Sequence, residues 1–123
     1  MEDSLCAIGA VSAAVAVLIG GARAHFLPKK LPAERLPLLE VGMRYQLAHS
    51  IAIVLASFAA SRFAGALPVL AGWGFLLGLL LFCGGAYGYA LSGRRGLMKA
   101  MPAGGLMLVL SWLTLALSPL LGS

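Results

Sequence analysis

The chain has 123 residues, 61% of them apolar and 11% charged, and nine Lys or Arg against four Asp or Glu leave a net charge of +5. Soluble domains run near ~45–50% apolar and ~25% charged, and a small one leaves much of its surface in water. The composition therefore excludes a soluble globular enzyme, a disordered chain and a disulfide-stapled secreted module, and it describes a multi-span membrane protein.

Crossing ~30 Å of hydrocarbon takes ~20 apolar residues in a helix. The first such run, residues 5–22, has no charge. Ala22-Arg23-Ala24 imitates a signal-peptidase site. Against cleavage, Glu2 and Asp3 stand where a signal peptide has positive charges, and the run is longer than the usual ~7–15 residues. A retained first helix is expected. Its small residues, Gly9, Ala13, Ala16 and Gly20 among them, suggest close packing against a neighbour.

Residues 26–40 follow, broken by Pro28, Pro32 and Pro37. Leucines mixed with charge suit a short segment along the inner membrane surface; a solvated loop is the alternative. Glu40 and Arg44 stand at i,i+4 with the acid first, the favourable order for a helical pair. The second span, 41–61, opens on polar residues and is apolar thereafter.

The third span, 67–91, is free of charge and holds two G-x-x-x-G motifs, Gly74 with Gly78 and Gly84 with Gly88. Glycines at this spacing let helices approach closely in lipid, so helices one and three are expected to form the packed centre. The fourth span, 103–121, is preceded by Pro102, which suits a first helical turn. Ser111, Thr114 and Ser118 fall near one face of it, able to bond within their helix or across to another.

The fold expected is all-α: a single domain, a four-helix transmembrane bundle. Lipid satisfies no loose backbone groups, and continuous apolar runs do not alternate as barrel strands do. Arg23, Lys29, Lys30, Arg35 and Arg44 flank the first connection and Arg94, Arg95 and Lys99 occupy the third, against Arg62 alone on the other side. That bias places these two loops in the cytoplasm and both termini outside it, in a bacterial inner membrane. The basic loops can touch anionic lipid. Split as they are, without interleaved aromatics, they indicate no nucleic-acid partner.

Cys6 lies at the outer end of helix one and Cys83 ~24 Å down helix three, too far apart for a disulfide's ~7 Å. His25 and His49 raise a haem or metal reading. A histidine at a loop edge is poorly placed for haem, and zinc wants more ligands than two. No metal and no cofactor are expected. No Asp or Glu interrupts the spans, which weakens ion-coupled transport. No triad, zinc-protease motif or phosphate loop is present, so the chain is read as non-enzymatic.

Depth counting brings one set of residues together near the inner face: His25 ending helix one, Arg44, Tyr45, Gln46 and His49 opening helix two, Tyr87 near the end of helix three, and Pro102, Gly104 and Gly105 starting helix four. A polar cluster at that depth should turn inward and pair.

The segments GGARAHFL, RYQLAHSIAIVL, FCGGAYGYALSG and MPAGGLMLVLSWLTLAL carry a resemblance. In order and spacing they are similar to a small four-span family catalogued as domain of unknown function 423, which includes YgdD-like inner-membrane proteins and eukaryotic transmembrane protein 256. The family pattern has a glycine where this chain has Arg23, serines at Cys83 and Gly85, a threonine at Met101 and a glycine at Ser111. A site built on those hydroxyls would be weakened here. The resemblance implies four helices in the inner membrane and brings no activity, cofactor or substrate.

Two functions are expected from different classes. One is a binding protein, contacting membrane lipids or serving as accessory subunit to other integral membrane proteins or a second copy. The other is a small oligomeric transporter or channel.

Overall fold

The computed structural model describes residues 2–121 and contains no strand among them. Four long helices carry the fold: α1 (Glu2–His25), α2 (Leu36–Arg62), α3 (Leu67–Ser92) and α4 (Ala100–Leu121). Short 3-10 turns, Leu27–Lys29 and Arg95–Lys99, occupy the first and third connections. Pro37 and Pro68 sit in the first turns of α2 and α3, where a missing N–H costs nothing. At its other end α3 stops on Gly93, whose φ of +76° suits glycine best. A Cβ there would lie 2.6 Å from Arg35 Nη1, so this guanidinium rests at the carbonyl end of α3, where positive charge is favoured.

Successive helices pack in sequence, α1 on α2, α2 on α3 and α3 on α4. All three pairs run antiparallel. Gly9 lies beside Val54 and Gly20 beside Met43; Gly72 lies beside Ala56 and Gly42 beside Tyr87; Gly74 lies beside Ser111 and Gly85 beside Met101. The core holds Leu5, Ile53, Phe75, Leu79 and Leu108, so all four helices contribute to it.

The centre of the bundle differs from the expected α1–α3 pair. It is α2 and α3, and α1 meets α3 only slightly. The small residues of α1 serve α2 instead. A Cβ on Gly9 would stand 2.7 Å from Val54 Cγ2 and 2.8 Å from the Ser50 carbonyl oxygen. Near their N-terminal ends α1 and α3 do touch, with Leu5 packed onto Gly72.

The glycines of α3 also sort differently from the motif. Gly74 and Gly78 face α4, against Ser111 and Leu108. Gly84, by contrast, has nothing within 4 Å of a Cβ position. Gly85 takes the packing role, 2.7 Å from the Leu97 carbonyl oxygen, and Gly88 packs on Leu97 Cδ1 at 2.8 Å. The helical repeat explains this: positions 74, 78 and 85 share a face, and 84 is turned ~100° from 85.

α1, α3 and α4 are long and apolar enough to cross a membrane. α2 falls short in apolar content, not in length, since 27 residues extend ~40 Å. It begins at Leu36, more than a turn before the expected span, so residues 36–40 are helical and Leu39 is buried. The expected interfacial segment therefore shrinks to residues 26–35, a largely exposed stretch of turns in which Leu27, Leu31 and Arg35 are half-buried.

Candidate functional site

Two consecutive residues of α2 divide the polar side chains between opposite sides of that helix. Tyr45 and Gln46 project ~100° apart. Gln46, with Ser50 one turn on, faces α1 and α3. Tyr45, with His49 one turn on, faces α4.

On the first side a hydrogen-bonded clasp joins three helices. Tyr87 donates its hydroxyl to Gln46 Oε1 at 2.7 Å, and Gln46 Nε2 donates to the Ser12 carbonyl at 2.9 Å. Ser12 and Ser50 share an Oγ–Oγ hydrogen bond of 2.6 Å, and Ser50 also meets the Gln46 carbonyl at 2.5 Å. One proton per hydroxyl suffices if Ser12 donates to Ser50 and Ser50 donates to that carbonyl. Close by, Cys83 donates to the Gly42 carbonyl at 3.3 Å. A cleft of about 280 Å³ opens here between α1 and α3, with Gly84 on its rim. The buried polar groups of the clasp answer one another, as low-dielectric surroundings require.

The second side holds the larger feature, a groove of about 610 Å³ between α2 and α4. α2 contributes Arg44, Tyr45, Ala48 and His49; Phe82 of α3 lies beneath; α4 supplies Gly105, Leu108, Val109 and Trp112. Its aromatic wall is ordered. Tyr45 stacks on Phe82 with centroids 4.1 Å apart and on His49 at 5.7 Å. Trp112 meets His49 edge-on at 6.0 Å and Phe75 at 4.8 Å. Buried Phe75 thus fixes the rings that line the groove without lining it.

His49 Nδ1 lies 2.9 Å from the Tyr45 carbonyl oxygen. That oxygen can only accept, so Nδ1 carries a proton, and in the singly protonated ring Nε2 is the acceptor. No described residue is hydrogen-bonded to Nε2. At the mouth, Glu40 bridges two cations, Arg44 at 3.0 Å and Arg23 at 3.2 Å. The expected Glu40–Arg44 pair is present, and Arg23 joins it from α1.

The residues expected to form one cluster therefore separate. Arg44, Tyr45, His49 and Gly105 share the groove, while Gln46 and Tyr87 belong to the clasp on the far side of α2. Gly104 is buried where α4 crosses α3, and Pro102 is exposed in the first turn of α4. His25 is exposed at the end of α1 beside Phe26. Among the described residues no three His, Cys, Asp or Glu gather as a metal site would need. Ser111, Thr114 and Ser118 each donate to the carbonyl one turn back in α4. Both cysteines are free thiols. Ser12, Phe75, Phe82 and Trp112 were not anticipated as parts of a site. Only the helical phase of α2 relative to its neighbours could have pointed to them.

Residues 19–105 match the family model described as protein of unknown function (DUF423). Relatives cover nearly the same length. The UPF0382 membrane protein YwdK of Bacillus subtilis is 30% identical, over 90% of this chain and 91% of its own. A UPF0382 membrane protein of Haemophilus influenzae is 29% identical over 94% and 93%. The UPF0382 inner membrane protein YgdD of Escherichia coli is 32% identical over 84% and 79%. No solved structure matches.

Proposed function

This chain belongs to the DUF423 family, a family of unknown function whose relatives here are named membrane proteins, and from that premise we propose that it acts by binding a membrane amphiphile in the groove between α2 and α4. The observation that carries this reading is the groove itself. About 610 Å³ lies open along two helices, lined by Leu108, Val109 and Trp112 on one side and by Tyr45, His49 and Arg44 on the other. A hydrocarbon tail fits the first wall and a polar head the second.

The molecule then works without catalysis, in the bacterial cytoplasmic membrane. All four helices cross, with the first and third connections in the cytoplasm and both termini outside. The basic residues of those connections support that orientation. α2 is included because it runs antiparallel between two crossing helices over the same length, and its polar residues turn toward protein. An accessory-subunit role would cover the groove with a partner helix. A groove with a ring nitrogen that no described residue meets suits a small polar head better than a second backbone. A transport role draws little support, because the hydroxyls and amide of the clasp are spent on one another.

The test is the identity of what copurifies. Extraction in mild detergent and mass spectrometry of the native protein should find a stoichiometric amphiphile. Ala48→Phe and Gly105→Leu, both filling the groove, should release it while the protein keeps its thermal stability. Wild-type protein recovered free of any bound amphiphile would refute the reading.

A further inference from the structure

We infer that the occupant of this groove carries an aromatic hydroxyl, a phenol or hydroquinone head on a hydrocarbon tail, which donates its hydrogen bond to His49 Nε2. The inference rests on the amphiphile reading above and narrows it to one head-group chemistry.

The argument starts from the Tyr45 carbonyl. It lies 2.9 Å from His49 Nδ1 and accepts a hydrogen bond from that nitrogen. The other nitrogen is then a lone-pair acceptor with no protein donor to fill it, in a site walled by rings. His49 lines the groove, and the lipid tails that would otherwise fill it offer no donor, so an occupant that brings one to this point is favoured.

The surroundings say which kind of donor. Tyr45 and Trp112, which line the groove, have ring centroids 5.7 and 6.0 Å from that of His49. Flat aromatic surfaces favour an aromatic head placed offset or edge-on among them. An anionic head is less suited. Arg44, the cation that lines the groove, is already paired with Glu40 at 3.0 Å, which offsets its charge toward a second anion. Beyond the head, Leu108 and Val109 on α4 offer an apolar track for the tail.

Two features make the contact selective. Gly105 lines the groove without a side chain, and a Cβ there would stand 3.9 Å from Phe82 Cδ2, so the head meets no obstruction from α4. The helix hydrogen bonds beneath His49 hold Tyr45 one turn away, so the tautomer is set before the ligand arrives. A site preorganised to accept discriminates against an otherwise identical molecule that cannot donate.

The experiment compares 4-decylphenol, its methyl ether 4-decylanisole, and decyl phosphate. Binding to the purified full-length protein in micelles is measured by equilibrium dialysis against protein-free micelles. The phenol is expected to bind about five- to tenfold more tightly than the ether, the worth of one hydrogen bond. His49→Phe keeps the aromatic packing and removes the acceptor, so phenol and ether should then bind alike, at the affinity the ether shows for wild type. Equal binding of phenol and ether to wild-type protein overturns the hydroxyl inference and leaves the groove reading standing. Decyl phosphate binding most tightly does the same, in favour of Arg44 as the head-group contact. Binding of none of the three above the micelle background overturns both.

Discussion

Gly78 and Gly104 face each other where α3 crosses α4, each occupying the space a side chain on the other would need. A Cβ on Gly104 would stand 2.7 Å from the Gly78 carbonyl oxygen and 2.5 Å from the Phe82 nitrogen, and one on Gly78 would stand 3.1 Å from the Gly104 carbonyl oxygen. These neighbours are backbone and cannot swing aside. Gly104→Ala should therefore destabilise the protein by ~2 kcal/mol or more, as overpacking does. Gly84→Ala meets nothing within 4 Å and should be neutral or gain ~0.5 kcal/mol from helix propensity. Thermal unfolding in detergent would compare the two. Equal losses would contradict the packing described for α3.

The clasp predicts a coupling between two helices. Tyr87→Phe removes the donor to Gln46 Oε1 and leaves that oxygen unmet, a loss of ~1 kcal/mol. Gln46→Leu breaks the links to both Tyr87 and Ser12 and should cost more, ~1–3 kcal/mol. In the double variant the losses should fall short of their sum by ~0.5 kcal/mol or more. A fully additive cycle would show that the Tyr87–Gln46 hydrogen bond contributes nothing.

Glu40 is the sole carboxylate between Arg23 and Arg44 among the described residues. Glu40→Gln leaves two like charges facing each other where the end of α1 meets the start of α2. All three side chains are partly exposed, so the loss should be modest, ~0.5–1 kcal/mol at low salt. It should shrink as ionic strength rises and the charges are screened. A loss independent of salt would mean that packing, not charge, holds this corner.

Orientation gives a test in cells. In a Cys6→Ser, Cys83→Ala background, cysteines at Lys29 and Arg94 should react with a membrane-impermeant maleimide only after the inner face is exposed. A cysteine at Ala64, in the connection between α2 and α3, should react from outside. The reverse pattern would invert the topology.

The helices were legible because lipid imposes a simple condition on them. Long stretches without charge mark them, and except at the start of α2 their ends fall within a few residues of those expected. α2 was legible as a helix but not at its start, because residues 36–40 look like loop until helix formation brings Glu40 to Arg44. Depth could be counted along each helix, and it put Tyr45, Gln46, His49 and Tyr87 at similar levels. The direction each side chain faces could not be counted, since that depends on how a helix is rotated against its neighbours. A one-residue step from Tyr45 to Gln46 then decides between groove and clasp. The aromatic wall was hidden for the same reason. Phe75, Phe82 and Trp112 look like ordinary apolar residues of their spans until α3 and α4 are set beside α2.

The central claim is that the groove between α2 and α4 holds a particular amphiphile, and photo-crosslinking in native membranes tests it most directly. Benzoylphenylalanine would replace Val109, which lines the groove, and in a second protein Val17, an exposed residue of α1. The account predicts one dominant adduct mass at Val109 and the mixture of bulk phospholipids at Val17. The same phospholipid mixture at both positions would contradict it.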